Sequence, residues 1–115
     1  MNRYIAKSFR GFALVTALAF ASGVATAGSM PAPIILINQF KFDNADLTVD
    51  VGTTVQFINR DQTVHNVVSR DGKFASTGLD TGDAWSFTFT APGDYAYFCA
   101  LHPHMTGVVH VKAKA

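Results

Sequence analysis

Cys99, His102 and Met105 occupy every third position of Cys99-Ala100-Leu101-His102-Pro103-His104-Met105, a stretch that holds the sole cysteine and two of the four histidines. The other two methionines, Met1 and Met30, stand in the N-terminal region. A thiolate, an imidazole and a thioether supply soft and borderline donors, the kind that select copper over magnesium or calcium. Taken singly, a cysteine is usually a small buried hydrophobe and a methionine core filler. Together, directly after a strand-like run, they form a metal loop, and Pro103 argues against a helix face there. One more imidazole would complete two histidines, a cysteine and a weak axial methionine, the donor set of mononuclear copper electron-transfer sites. His65 is available for that place.

Donors drawn from two distant stretches need a rigid scaffold to bring them together. Pro33 to Asn38 is a short apolar run, and Gln39 to Asp46 mixes Phe40 and Phe42 with turn residues. Leu47, Val49 and Val51 alternate with polar neighbours up to Gly52. In Thr54 to Asn59, Val55 and Phe57 share one face and Gln56 takes the other, the pattern of a half-buried strand. Asn59-Arg60-Asp61-Gln62 is predicted to turn, Val64 to Ser69 to be extended and to carry His65, and Asp71-Gly72 to turn a hairpin. Ser76 to Asp83, rich in Gly, Thr and Asp, has no period and is predicted to be a loop.

Trp85, Phe87 and Phe89 alternate with Ser86, Thr88 and Thr90, the clearest strand in the chain. Ala91-Pro92-Gly93-Asp94 turns it. Tyr95, Tyr97 and Cys99 then share one face of the next strand, so its core-facing side ends in the thiol. Gly107 to Lys112 is a Val-rich closing strand, with His110 facing away from Val109 and Val111 and so expected at the solvated surface. No helical period appears after Gly28. Short strands separated by turns predict an all-β Greek-key β-sandwich.

The first residues carry Arg3, Lys7 and Arg10 without an acid, and Gly11 to Phe20 is apolar but too short to span a bilayer. This is the form of a secretory signal, with the small residues Ala25-Thr26-Ala27 placing cleavage before Gly28. A membrane anchor is the competing reading; the apolar run is short for it and fades into Ser, Gly and Thr. The expected division is therefore a signal peptide over 1–27 and one domain over 28–115, and 115 residues less 27 leaves 88, enough to fold alone. The leader takes three of the nine Lys and Arg and none of the eight acids, which leaves six basic against eight acidic residues. No basic cluster remains for a nucleic acid. A single cysteine permits no internal disulfide, and in an oxidising compartment a thiol must be buried or metal-bound.

The run Gly93-Asp94-Tyr95-Ala96-Tyr97-Phe98-Cys99-Ala100-Leu101-His102-Pro103-His104-Met105-Thr106-Gly107 resembles the copper-loop signature of cupredoxins, the type 1 blue copper proteins. Val64-His65-Asn66-Val67-Val68 resembles their first-ligand motif, and with Leu47-Thr48-Val49 and Gly52 to Asn59 the likeness covers most of residues 28–115. Two residues separate Cys99 from His102 and two more precede Met105, which resembles the short loop of amicyanins; plastocyanins and pseudoazurins have longer gaps. The resemblance implies one copper per chain held by His65, Cys99 and His102 with Met105 as long axial ligand, and Asn66 tying the two ligand segments together. It implies a non-enzymatic, monomeric, periplasmic carrier that shuttles single electrons between redox proteins by cycling Cu(II) and Cu(I). A c-type cytochrome and a dehydrogenase or oxidase suit the two partner roles, and His102 is the expected electron port, within an apolar patch of Ala100, Leu101 and Pro103.

Two residues depart from the family pattern. Val64 stands where many relatives have proline, and His104 where amicyanins have an apolar residue. His104 is a rival ligand five residues after Cys99, although that spacing leaves Met105 directly adjacent; its expected place is exposed beside the site. Other classes compete. A Cys-His hydrolase needs a base and oxyanion donors around an accessible thiolate, whereas this cysteine ends a core-facing strand. A copper carrier or storage protein could use the same ligands, and zinc also accepts cysteine and histidine.

Overall fold

The structure, a computed structural model, describes residues 31–114; the expected leader and its cleavage position lie outside them. The described residues form β1 (Ile34–Asn38), β2 (Lys41–Phe42), β3 (Asp46–Asp50), β4 (Thr53–Asn59), β5 (Val68–Ser69), β6 (Ala84–Phe89), β7 (Gly93–Cys99) and β8 (His102–Lys112). Among them no helix is long and apolar enough to cross a membrane.

Alternation of apolar and polar residues gives each strand one buried face, and two such faces must cover each other. One sheet has the order β2-β1-β4-β6 and the other β3-β8-β7-β5. The chain switches sheet at every connection from β2 through β7, and two neighbouring pairs run parallel. These are β1 with β4 (Ile35 opposite Phe57) and β3 with β8 (Val49 opposite Val111). The result is the Greek-key sandwich predicted from the alternation.

Ile35, Ile37, Val55, Phe57 and Phe89 of the first sheet meet Val49, Tyr95, Tyr97, Val109 and Val111 of the second. The large rings meet edge to face, with Tyr97 4.8 Å from Phe42 and 5.4 Å from Phe57, and Phe89 5.0 Å from Tyr95, the arrangement that ring quadrupoles favour. Tyr97 lies over Gly107 so closely that a Cβ there would fall within the tip of its ring. Gly107 is thus the gap that the tyrosine fills.

Two elements differ from expectation. Of the extended run Val64 to Ser69, only Val68–Ser69 joins a ladder, against β7. The preceding backbone is satisfied elsewhere: His65 pairs with Leu79, and the Val67 N–H donates to Ser76 Oγ at 2.8 Å. The last strand begins at His102 and not at Gly107, so the metal loop is a hairpin in which Cys99 faces His102 across Ala100-Leu101. Pro103 escapes the usual prohibition because it falls within the irregular register after Phe98, where no ladder N–H is required of it.

Candidate metal centre

His65 sits on the connection between β4 and β5, in a place fixed by the turn before it. Asn59, fully buried, donates from Nδ2 to the carbonyls of Thr63 (2.9 Å) and Leu79 (2.7 Å), and its Oδ1 accepts the Asp61 N–H (2.9 Å). A reciprocal backbone pair joins His65 to Leu79 (3.2 and 2.7 Å). The buried asparagine thus replaces the missing strand ladder and holds the imidazole at the end of the sandwich.

Cys99 ends the buried face of β7, and the hairpin returns His102 beside it. Cys99 Sγ lies 3.8 Å from His65 Nδ1 and 3.7 Å from His102 Nδ1. All three donor atoms lie within 4.8 Å of one another. Two donors bound to a common metal at about 2.0–2.3 Å, at trigonal or tetrahedral angles, are themselves about 3.5 Å apart. The two sulfur–nitrogen sides of the triangle already have the dimensions of a binding site. His65 and Cys99 are fully buried and His102 half-buried.

Asp61 fixes the tautomer of His65. Its Oδ2 lies 2.8 Å from His65 Nε2. A carboxylate accepts and does not donate, so the ring proton resides on Nε2 and the Nδ1 lone pair points toward Cys99. Burial by itself would push the Asp61 carboxyl up. The Phe40 and Gln39 N–H groups and the His65 ring outweigh this and hold it below the usual carboxylate range.

Asn66 joins the two ligand segments, as the resemblance implied. Its Oδ1 accepts the Ala100 N–H at 2.8 Å and its own N–H points at Cys99 Sγ at 3.5 Å. Met105, 2% exposed, belongs to the same buried cluster as Cys99. His104 is exposed and outside the donor triangle; it lines an open cavity with Met105. His110 faces outward as expected but is not simply solvated, because each ring nitrogen lies 2.7 Å from a carboxylate, Asp94 on one side and Asp46 on the other.

Sequence reasoning passed over Asn59, Asp61 and Phe40. The pattern at Asn59-Arg60-Asp61-Gln62 is that of a turn, and the one available signal is a carboxylate four residues before His65, a spacing that need not bring the two side chains together. The Phe40 ring centroid lies 4.9 Å from those of both His65 and His102.

The sequence matches the family model of copper binding proteins, plastocyanin/azurin family, over residues 34–112. The amicyanin of Paracoccus denitrificans is 37% identical over 84 residues, covering 69% of this chain and 64% of that relative, so the chain spans somewhat under two thirds of its length. Among solved structures, a copper-containing nitrite reductase from Thermus scotoductus SA-01 superposes with a TM-score of 0.72 at 29% identity, covering 83% of this chain and 25% of the other. A purple cupredoxin from Nitrosopumilus maritimus superposes at 0.64 with 33% identity, covering 70% of this chain and 99% of the other.

Proposed function

Since the chain belongs to the plastocyanin/azurin family of copper-binding proteins and is a cupredoxin close to the amicyanins, we propose that it is an exported carrier of single electrons. Its copper site would be formed by His65, Cys99, His102 and Met105. The observation that carries this reading is the donor triangle, in which both Nδ1 atoms already face one buried thiol. Copper bound there supplies a one-electron couple and a coloured copper-thiolate bond.

The residues around the triangle support transfer with little rearrangement. Asp61 and Asn59 hold His65, Asn66 holds the Cys99 turn, and the sandwich fixes the two against each other. Half-buried His102 is the way out, flanked by exposed Ala100, Leu101 and Pro103, with Leu101 51% exposed. A small apolar surface of this kind suits brief encounters with redox proteins, which need small interfaces and fast release. A c-type cytochrome fits one partner role and a dehydrogenase or oxidase the other. The chain would be a monomer and no enzyme; its likeness to the nitrite reductase covers a quarter of that chain. Arg3, Lys7 and Arg10 before an apolar run support export to the periplasm as residues 28–115, which the mass of the exported protein checks directly.

Copper delivery or storage is the competing use of the same ligands. A visible spectrum of the copper(II)-loaded chain separates the two: intense absorption toward the red, bleached by reductant and restored by oxidant, is expected of the carrier. Cys99→Ser should remove band and cycling while the metal-free fold survives. A coloured, redox-active Cys99→Ser protein would rule out this site.

A further inference from the structure

Phe40 stands in an unusual backbone for its residue type. It and Gln39 are the two central residues between paired Asn38 and Lys41, and both have positive φ, 55° for Gln39 and 58° for Phe40. Tight hairpins favour this left-handed turn, but they ordinarily fill it with Asn or Gly, and a bulky side chain at positive φ is an outlier. Something outside the hairpin must hold it. The Gln39 N–H donates to Asp61 Oδ1 at 2.7 Å and the Phe40 N–H to Asp61 Oδ2 at 2.9 Å. That carboxylate also orients His65. One acidic side chain therefore fixes both the first imidazole and the turn that faces it.

The turn presents the Phe40 ring to the donor triangle. The ring is nearly perpendicular to both imidazoles, at 89° to His65 and 88° to His102, while His65 and His102 lie 4.9 Å apart at 66°. The three rings form a closed set in which Phe40 is the member not supplied by the ligand segments. Phe40 is also 39% exposed, whereas His65 behind it is fully buried. An open cavity of about 440 Å³, bordered by Gln39, Phe40, Lys41, His104 and Met105 but by neither His65 nor His102, reaches Phe40.

We infer that Phe40 is a positioning residue of the metal centre. Its ring, held by the Asp61-clamped left-handed turn, braces the imidazoles of His65 and His102 against each other and closes them off from the neighbouring cavity. A strained turn maintained by a neighbouring carboxylate at such a place is the kind of local cost that functional sites retain. Truncating the ring removes both edge contacts and extends the cavity to the imidazoles. His102 then has a second conformation open to it, and an external ligand has a route to the metal.

This inference rests on the metal-centre reading, and the test separates the two. The full chain is prepared as parent, Phe40→Ala and Phe40→Tyr, the last keeping the ring and sending its hydroxyl to solvent. Two quantities are read: the rate at which bicinchoninate strips copper(I) from the loaded proteins, and the His65 and His102 ring-proton shifts by NMR in the metal-free proteins. Loss of two aromatic contacts predicts copper release about tenfold faster in Phe40→Ala. Both histidines should also shift in the metal-free state, and Phe40→Tyr should match the parent in both readouts. If Phe40→Ala does not fold, Phe40→Leu, which keeps apolar bulk without a ring, takes its place under the same expectation. Parent-like copper release in the ring-less variant would overturn the role of Phe40 and leave the metal centre standing, whatever the histidine signals do, since loss of the ring's own current moves them even when the imidazoles stay in place. A folded parent that takes up no copper would overturn the metal-centre reading, and the role of Phe40 with it.

Discussion

The backbone N–H of Ala100 donates to the side-chain oxygen of Asn66 at 2.8 Å, which joins the segment carrying His65 to the turn carrying Cys99 and His102. No disulfide links these segments, which are 34 residues apart along the chain at this contact. Ala100 is exposed, so in Asn66→Ala water can take over its N–H and the stability cost should be about 0.5–1 kcal/mol, the low end for a hydrogen bond. The site should suffer more than the fold. The copper-thiolate band should broaden and copper release quicken in Asn66→Ala, whereas Asn66→Asp, which keeps an acceptor, should recover most of both. Thermal unfolding and visible spectra of the three proteins check this; an Asn66→Ala band identical to the parent's would show that the sandwich alone positions the turn.

Met105 tests the axial position in two ways. At 2% exposure its replacement by glutamine buries an amide, which costs about 1–3 kcal/mol if unsatisfied. On copper the same amide oxygen has a partner, and as a harder donor than a thioether it favours the oxidised state, since axial ligands tune these sites. Met105→Gln should therefore destabilise the metal-free protein more than the copper-loaded one, and lower the midpoint potential. Equal destabilisation of both forms with an unchanged potential would place Met105 outside the coordination shell.

The parts legible in the sequence were those governed by short-range pattern or rare chemistry. Trp85, Phe87 and Phe89, and then Tyr95, Tyr97 and Cys99, alternate so regularly that strand, face and burial follow from period alone. Cysteine, histidine and methionine are scarce enough here that their clustering marks the metal loop. The support of the site was not legible in the same way. Asp61 matters because it meets Gln39 and Phe40, 22 and 21 residues away, and no local pattern records that meeting. Phe40 looks like one more apolar residue until its positive φ and its two histidine neighbours are known. The start of β8 at His102 is hidden because the Val-rich pattern begins only at Gly107, while the residues before it pair with β7 through an irregular register that no alternation marks.

Gly107 should tolerate no side chain. The Tyr97 ring occupies the space of its missing Cβ, and Tyr97 is fully buried, wedged between Phe42 and Phe57, so it has nowhere to move. Gly107→Ala should cost about 1–3 kcal/mol, the usual range for overpacking, read as a lower denaturant midpoint with the same slope. The Tyr97 hydroxyl is buried and has no hydrogen-bond partner among the described residues. Tyr97→Phe should consequently be neutral or stabilising, since removing an unpartnered buried hydroxyl relieves a desolvation cost. Destabilisation by Tyr97→Phe would mean that the hydroxyl finds a partner in solution.

His110 should make stability depend on pH in a direction set by its two carboxylates. It lies on β8 between β3 and β7, directly opposite Asp94, with Asp46 diagonally across on the other side. A neutral imidazole carries one N–H and can donate to only one of them; both contacts, at 2.7 Å to Nδ1 and Nε2, are favourable together only when both nitrogens are protonated. The hydrogen bond with Asp94 is the largest cause; burial opposes it, and the hydrogen bond with Asp46 and the charges of both acids tip the balance, so His110 is raised above its ordinary 6.5. A group with a raised folded-state pKa stabilises the fold fully below its unfolded value and loses that contribution as pH rises through the folded one. The staple across three strands should therefore hold near pH 6 and fade toward alkaline pH. Both acids are largely exposed, so the effect should be small and salt should weaken it. The measurement is the difference in melting temperature between parent and His110→Gln across the pH range, at low and high salt. The difference should be largest at about pH 5.5–6, where imidazole is protonated and carboxylates are ionised, shrink as pH rises above the raised value, and narrow in high salt. A gap that stays constant or widens toward alkaline pH would mean that His110 is neutral in the folded protein and bonds only one of its two acids.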